Sequence, residues 1–300
     1  MWFKNLQLYA LPTTWSLSAA ALEEALAKHP LLPCNAASMQ SQGWVPPSPG
    51  AALVYAQGKH LLIALGIEQK LLPASVINQA AQQKALELEQ RQGFPLGRKQ
   101  LRDLKDQVAD ELRPRAFVRK RTVRAWLDFE QSLLLVDSAS PKLADDLTTA
   151  LRADLGELPS VLLDTQQSAT AAMTAWISAG HAPGALSLQE DCELTTDNAA
   201  KSVVRYVRHG LDGPELRSLI VGGKSVTRLG LGWREHLSFA LTDKLAVKRL
   251  RYHGMNDDEA TSGGKPNDED AFDVNFTLMR GEIGGLLTDL LGALGGAKPV

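Results

Sequence analysis

Arg113, Arg115, Arg119, Lys120, Arg121 and Arg124 fall inside the short segment RPRAFVRKRTVR, which contains no carboxylate. In a chain whose formal net charge is −2, positive charge concentrated this way builds an anion-facing surface. Guanidinium groups held at such a density on a fold suit a row of phosphates, since each planar fork can grip phosphate oxygens bidentately. The alternative is a solvated basic helix end, where positive charge complements the macrodipole. A second basic group occupies the last third of the chain. Lys201, Arg205, Arg208, His209, Lys224 and Arg228, followed by Arg234, Lys244, Lys248, Arg249 and Arg251, outnumber Asp212, Glu215, Glu235 and Asp243. They fall at both odd and even strand positions, so alternation alone leaves open which of them face one ligand, and an ordinary mixed surface is the competing reading.

Other chemistry finds less support. Gly222-Gly223-Lys224-Ser225 resembles the end of a phosphate-binding P-loop, but Ser218 stands where that motif needs glycine, and the segment before it reads as a helix rather than a strand. Asp268, Glu269, Asp270 and Asp273 could gather a divalent cation for a metal-dependent nuclease, the alternative function, although their spacing matches no ligand loop and an exposed acidic loop explains them as well. The six histidines are scattered and none adjoins a nucleophile motif. Cys34 and Cys192 lie far apart without metal-ligand spacing, which fits two reduced, packed thiols and no metal or cofactor. Zinc-finger spacing, the aromatic signature of RNA-recognition motifs and zipper heptads are all missing, so binding through the basic surface is expected to be independent of base sequence.

The elements that would carry these residues read as α+β. WFKNLQLYAL is a first strand, Leu17 to Lys28 a helix, and ALVYAQ and HLLIAL form a hairpin through Gly58-Lys59. From Ser75 to about Leu112 two polar helices joined at Gly93, Pro95 and Gly97 make a projecting hairpin. The basic segment is a junction between that hairpin and the strand VRAWLDF, which turns at Glu130-Gln131-Ser132 into LLLVDS. Helices follow over Lys142 to Leu155 and Ser168 to Ala179, the latter stopped by Gly180, and HAPGA marks a domain boundary near residue 180. The remainder holds strands VVRYVR, SVTRLGLGW, HLSFAL and LAVKRLRY, an acidic glycine-rich loop over DDEATSGGKPNDEDAFD, and a closing helix from Phe276 to Leu294. That helix carries a stripe of Leu278, Ile283, Leu286, Leu287, Leu290, Leu291 and Leu294, by default core.

Three hundred residues with 44% hydrophobic and 22% charged side chains suffice for two modest globular domains. The opening residues lack the apolar centre and small-residue cleavage site of a signal peptide, and no apolar run is long enough to span a bilayer. A cytoplasmic protein is the expectation.

Several separated stretches occur in the order found in one family: WFKNL, GWVPP at Trp44 to Pro47, LLP and VI around Leu71 to Ile77, LRPRAF at Leu112 to Phe117, W-L-D at Trp126, and FTLMRGE at Phe276 to Glu282. Together they resemble RdgC, the recombination-associated proteins of proteobacteria, nearly end to end. The resemblance implies a centre domain of residues 1–75 and 116–180, a helical tip of 76–115 and a base of 181–300. It further implies a homodimer closed into a ring by tip and base contacts, with duplex DNA through a positively lined hole. Such a protein binds double-stranded DNA without sequence preference, with single-stranded DNA an open alternative, restrains RecA-promoted recombination and is not an enzyme. By the same resemblance Arg98, Lys99 and Arg102 are basic tip positions. Arg115, Arg119 and Lys120 lie where the tip rejoins the body, and Arg208 and His209 are a basic-polar pair of the base. The expected DNA-binding set adds Arg113, Arg121, Arg124, Arg205, Lys224, Arg228, Lys248 and Arg249. Lys120 departs from the pattern, replacing an aromatic residue of a well-known relative, and supplies phosphate attraction instead. A third reading makes RecA itself the main partner.

Overall fold

The computed structural model describes residues 2–196, 202–211, 213–254 and 269–300. Among them the chain forms an α+β fold of antiparallel sheets with seven α-helices. Lys201, Asp212 and Asp268 lie outside the described residues. Two compact units divide the chain: Met1–Ala25, Pro46–Ile63 and Val123–Val300 form the larger, Leu26–Val45 and Ala64–Thr122 the smaller. The long strands β4 (His60–Leu71) and β5 (Phe117–Asp128) contribute residues to both.

In the larger unit, β1 (Gln7–Ala10) lies between β6 (Leu133–Val136) and β7 (Val161–Leu162), and β6 pairs with Ala125–Asp128 of β5. β3 (Val54–Gln57) returns onto the start of β4 through Gly58, whose φ of +61° is a conformation glycine adopts without steric cost. The first strand is shorter than its apolar pattern suggests. The amides of Lys4 and Asn5 donate to the Asp137 carboxylate at 3.0 and 2.9 Å, leaving the ladder to begin later.

A second antiparallel sheet in this unit has the order β12-β11-β10-β8-β9, formed by β8 (Leu186–Thr196), β9 (Val203–Tyr206), β10 (Lys224–Trp233), β11 (Leu237–Thr242) and β12 (Val247–Tyr252). The strand β8 was not anticipated. Its alternation of Leu186, Leu188, Cys192 and Leu194 is broken in the middle, where Leu188 is half-buried and Glu190 exposed. Helix α5 (Ala169–Ala179) packs on β10, capped by the Ser168 hydroxyl and ended by Gly180 at φ +79°, as its sequence predicts. The closing helix α7 (Glu269–Ala293) starts earlier than expected, taking Glu269, Asp270 and Asp273 out of the presumed loop, and acidic residues in a first turn complement the helix dipole. Ile283, Leu286, Leu287 and Leu290 of this helix and Leu294 just after it are at most 1% exposed, and they join Trp126, Met173, Leu229, Leu231 and Trp233 in one continuous core, whereas Leu278, expected in the same stripe, is 48% exposed. Removing each such side chain from water contributes about 1.5–3 kcal/mol.

In the smaller unit β2 (Gln40–Val45) pairs with Ala64–Gln69 of β4. Gly43 is required there by close approach, since a Cβ would stand 2.5 Å from the backbone of Pro30 and Leu31. Helices α2 (Ala74–Gln92) and α3 (Arg98–Leu112) pack together as the sequence predicts, turning at Gly93, whose φ is +80°. The contact between them is thin: Ala81, Ala85, Leu104 and Val108 are its buried residues, with Ile77, Ala80, Leu96 and Leu112 partly covered. The Glu89 side chain accepts the Leu96 amide at 2.8 Å, and Lys84 pairs with Glu111 across the hairpin.

Candidate nucleic-acid interface

The basic segment is not merely a junction. Arg113–Arg115 make one 3₁₀ turn, and from Phe117 the chain is strand β5, extending the expected VRAWLDF by six residues. Phe117, Val118, Thr122 and Val123 favour extended backbone, and arginine and lysine are tolerated in a strand whose surfaces stay in water. All of Phe117–Thr122 is exposed, and β6 does not reach these residues, because its pairing begins at Ala125.

Alternation along β5 sorts the charges. Phe117, Arg119 and Arg121 share one face, while Val118, Lys120 and Thr122 share the other. Lys120 donates to the Glu68 carboxylate at 2.9 Å. That bond and the Cys34 amide, 3.1 Å from the same carboxylate, hold the Glu68 pKa below the usual glutamate range. Arg119 and Arg121 have no ion-pair partner among the described residues. Arg113 pairs with Asp110 at 2.7 Å, and Arg115 is exposed near Glu111. Arg98, Lys99 and Arg102 are exposed on the first turns of α3, where positive charge opposes the helix dipole by a few tenths of a kcal/mol. Helix stability does not account for their placement.

Arg124 belongs to the larger unit and is half-buried, with Nε 3.5 Å from the Pro47 carbonyl; burial lowers its pKa, opposed by the negative charge of Asp137. Its side chain is held in the protein rather than offered to solvent.

The other predicted residues lie on or beside the second sheet. On β10, Leu229, Leu231 and Trp233 face the core, and Gly230 and Gly232 leave the opposite side shallow. Cross-strand register puts Arg228 between Glu193 of β8 and Thr242 of β11. Bulges at Val226–Arg228 and Ser238–Ala240 shift the strand parity. This is why basic residues of both parities reach the open face, an outcome two-residue periodicity could not supply.

Two depressions result. One, of about 340 Å³, is lined by Arg208, Arg249, Arg251, Asp191, Gln189 and Gly230. The other, of about 500 Å³, is lined by Arg228, Lys248, Glu193, Asp243, Thr195 and Thr242. Arg208 and Arg249 both hold left-handed backbone, φ +52° and +55°, anchored where their amides donate to Asp191 at 3.1 Å and Asn5 at 3.2 Å. Arg205 pairs with Glu193 at 2.6 Å, Lys224 donates to Ser202 Oγ at 2.5 Å, and exposed His209 sets Nδ1 2.8 Å from the Gly210 carbonyl. This face therefore mixes arginine with carboxylate throughout.

Among the described residues no three His, Cys, Asp or Glu side chains stand where they could hold a metal ion. Of the acidic cluster, Asp273 accepts from the Tyr55 hydroxyl at 2.5 Å. Cys34 and Cys192 are free thiols, and burial pushes Cys192 up to about 12. Lys224 begins a strand after helix α6 (Pro214–Val221), the reverse of P-loop order. No helix among the described residues is long and apolar enough to cross a membrane.

Comparison with known proteins agrees over the whole length. The profile of the family described as "Putative exonuclease, RdgC" matches residues 1–297. Proteins named recombination-associated protein RdgC are similar throughout: that of Cupriavidus pinatubonensis is 45% identical over 298 residues, covering 99% of each chain. Those of Herminiimonas arsenicoxydans and Burkholderia ambifaria are 44% and 43% identical over 298 residues, 99% of this chain and 99% and 97% of theirs. With the separated motifs from WFKNL to FTLMRGE in matching order, the chain belongs to the RdgC family of recombination-associated proteins.

Proposed function

We propose that this protein binds duplex DNA without regard to base sequence, as a ring-shaped homodimer of centre, tip and base that encloses the double helix and restrains RecA-promoted recombination in the nucleoid. The observation that carries the reading is the carboxylate-free strand Phe117–Thr122 with Arg119 and Arg121 unpaired and exposed, in a chain of net charge −2 that belongs to a recombination-associated family. Fields at physiological salt fade over roughly 8 Å, so a slightly negative protein attracts phosphates only where its cations are segregated. Arg98, Lys99 and Arg102 add exposed positive charge on the first turns of α3, and Arg208, Arg228, Lys248 and Arg249 form a second, more mixed group. No residue is assigned a catalytic step.

Fluorescence anisotropy of a labelled duplex across a salt series tests the reading. Affinity should fall with a log-log slope of about −0.9 per phosphate neutralised and change little between scrambled sequences. A flat salt response, or a strong preference for one sequence, overturns it. The family description also names an exonuclease, so linear duplex incubated with magnesium or manganese should stay intact; progressive shortening would favour catalysis instead. Light scattering on the free protein reports whether it is a dimer.

A further inference from the structure

We infer that His60 is a proton-driven switch in the core of the larger unit: neutral, it is held by the Trp126 indole, and charged, it turns to the Asp128 carboxylate and leaves the indole without an acceptor. The switch stands independently of the DNA-binding reading. Two stretches which that reading does not use, W-L-D at Trp126 and FTLMRGE at Phe276 to Glu282, meet at this ring. The Trp126 ring centre lies 5.6 Å from that of the imidazole and 5.9 Å from that of Phe276, and Arg280 is close enough to act on the histidine charge. His60 is 2% exposed and Trp126 wholly buried, so both must find partners within the protein.

Donor and acceptor roles fix the resting state. An indole N–H only donates, and Trp126 Nε1 stands 3.3 Å from His60 Nδ1, so that nitrogen is bare and Nε2 carries the proton. Asp128 Oδ1 also stands 3.3 Å from Nδ1, and an ionised carboxylate only accepts. In the neutral ring two lone pairs therefore face each other. Protonation of Nδ1 turns that contact into an ion pair and displaces the indole N–H. The same Asp128 oxygen accepts the amides of Glu130 and Gln131 at 2.9 and 3.1 Å, which holds it against the ring. Glu130 Oε2 lies 3.5 Å from Nε2 without a hydrogen bond to it, a contact that strengthens when the ring is charged. Asp128, Glu130 and, from α7, Arg280 are the charged groups acting on His60. Gln57, its cross-strand partner on β3, is uncharged and donates to Thr277 at 2.8 Å. Burial lowers the His60 pKa from the usual 6.5, Asp128 and Glu130 oppose that, and Arg280 assists it. The folded protein thus takes up this proton less readily than the unfolded chain. Stability is full above about 6.5 and declines as pH drops from there to the depressed folded value.

Proton–nitrogen correlation NMR of the full chain, labelled at histidine and tryptophan, tests this from about pH 8 down to about pH 5. Loss of a signal in His60→Gln or Trp126→Phe assigns it. At the alkaline end His60 should show a bare Nδ1 and a protonated Nε2. On acidification the Trp126 indole signal should shift with the same midpoint as His60, below 6.5. Glu130→Gln, at a mostly exposed residue, removes a neighbouring negative charge and should lower that midpoint. Trp126→Phe removes the donor that holds the neutral ring and should raise it. His60→Gln keeps an acceptor for the indole but does not titrate, so the acid shift of the Trp126 signal should vanish. A protonated Nδ1 at the alkaline end, an indole signal that does not follow His60, or a midpoint indifferent to Glu130→Gln overturns the switch. So does a His60 that stays neutral until the chain unfolds. If Trp126→Phe does not fold, Glu130→Gln and His60→Gln decide the question.

Discussion

Two regions of this molecule concentrate basic side chains and differ in what lies among them. On Phe117–Thr122 the arginines of one face have no carboxylate to answer to, and the only ion pair, Lys120 with Glu68, is on the other face. On the open face of the second sheet Glu193 holds Arg205, the Asp191 carboxylate accepts the amide of Arg208, and Asp243 lines the same depression as Arg228 and Lys248. Counting cations ranks the second region higher, yet the field a polyanion meets depends on the unpaired ones. The strand is the expected principal contact and the sheet face a secondary one.

The largest effect expected is for Arg119→Glu combined with Arg121→Glu. Duplex affinity at low salt should drop at least hundredfold, roughly 3 kcal/mol, with thermal unfolding scarcely altered because both residues are exposed and make no ion pair among the described residues. Lys120 is left intact in that variant, because a glutamate there would face Glu68 and confuse binding with stability.

Arg228→Glu combined with Lys248→Glu should cost less, about tenfold, since carboxylates already dilute that face. If this pair proved the costlier in the same titration, the ranking of the two regions would be reversed.

Glu193→Gln works in the opposite direction. It releases Arg205 and should strengthen duplex binding about twofold to threefold, the scale of an exposed ion pair. No gain would mean that Arg205 does not reach the ligand.

The smallest effect concerns Lys120→Ala. The Glu68 pKa is depressed in the folded protein, first by the Lys120 contact. A depressed carboxylate contributes stability above its unfolded pKa and loses it as pH falls through the folded value. Wild type should therefore exceed Lys120→Ala in denaturant unfolding at neutral pH. The gap should begin to close near the ordinary glutamate value of about 4.3 and vanish below the depressed one. A gap independent of pH would remove Glu68 from the account.

Several elements were legible because their signals are local. The α2/α3 hairpin follows from polar helical periodicity broken at Gly93, Pro95 and Gly97, helix α5 from Ser168 and Gly180, and the buried stripe of α7 from its leucine spacing. β5 was read short because exposed strand residues carry no apolar alternation, and β8 was missed because half-buried Leu188 and exposed Glu190 break its apolar period in the middle. The exposure of Phe117 had no sequence signal, since an aromatic residue beside arginines looks the same whether covered or bare.

The sequence by itself determined the family, the α+β class and the presence of a carboxylate-free basic segment, because motif order, periodicity and composition are written along the chain. Only the tertiary structure decided which cations remain unpaired, since that turns on strand register, bulges and partners as distant as Glu68 is from Lys120 and Glu193 from Arg228. Charge is a property of residues, but an electric field is a property of their arrangement.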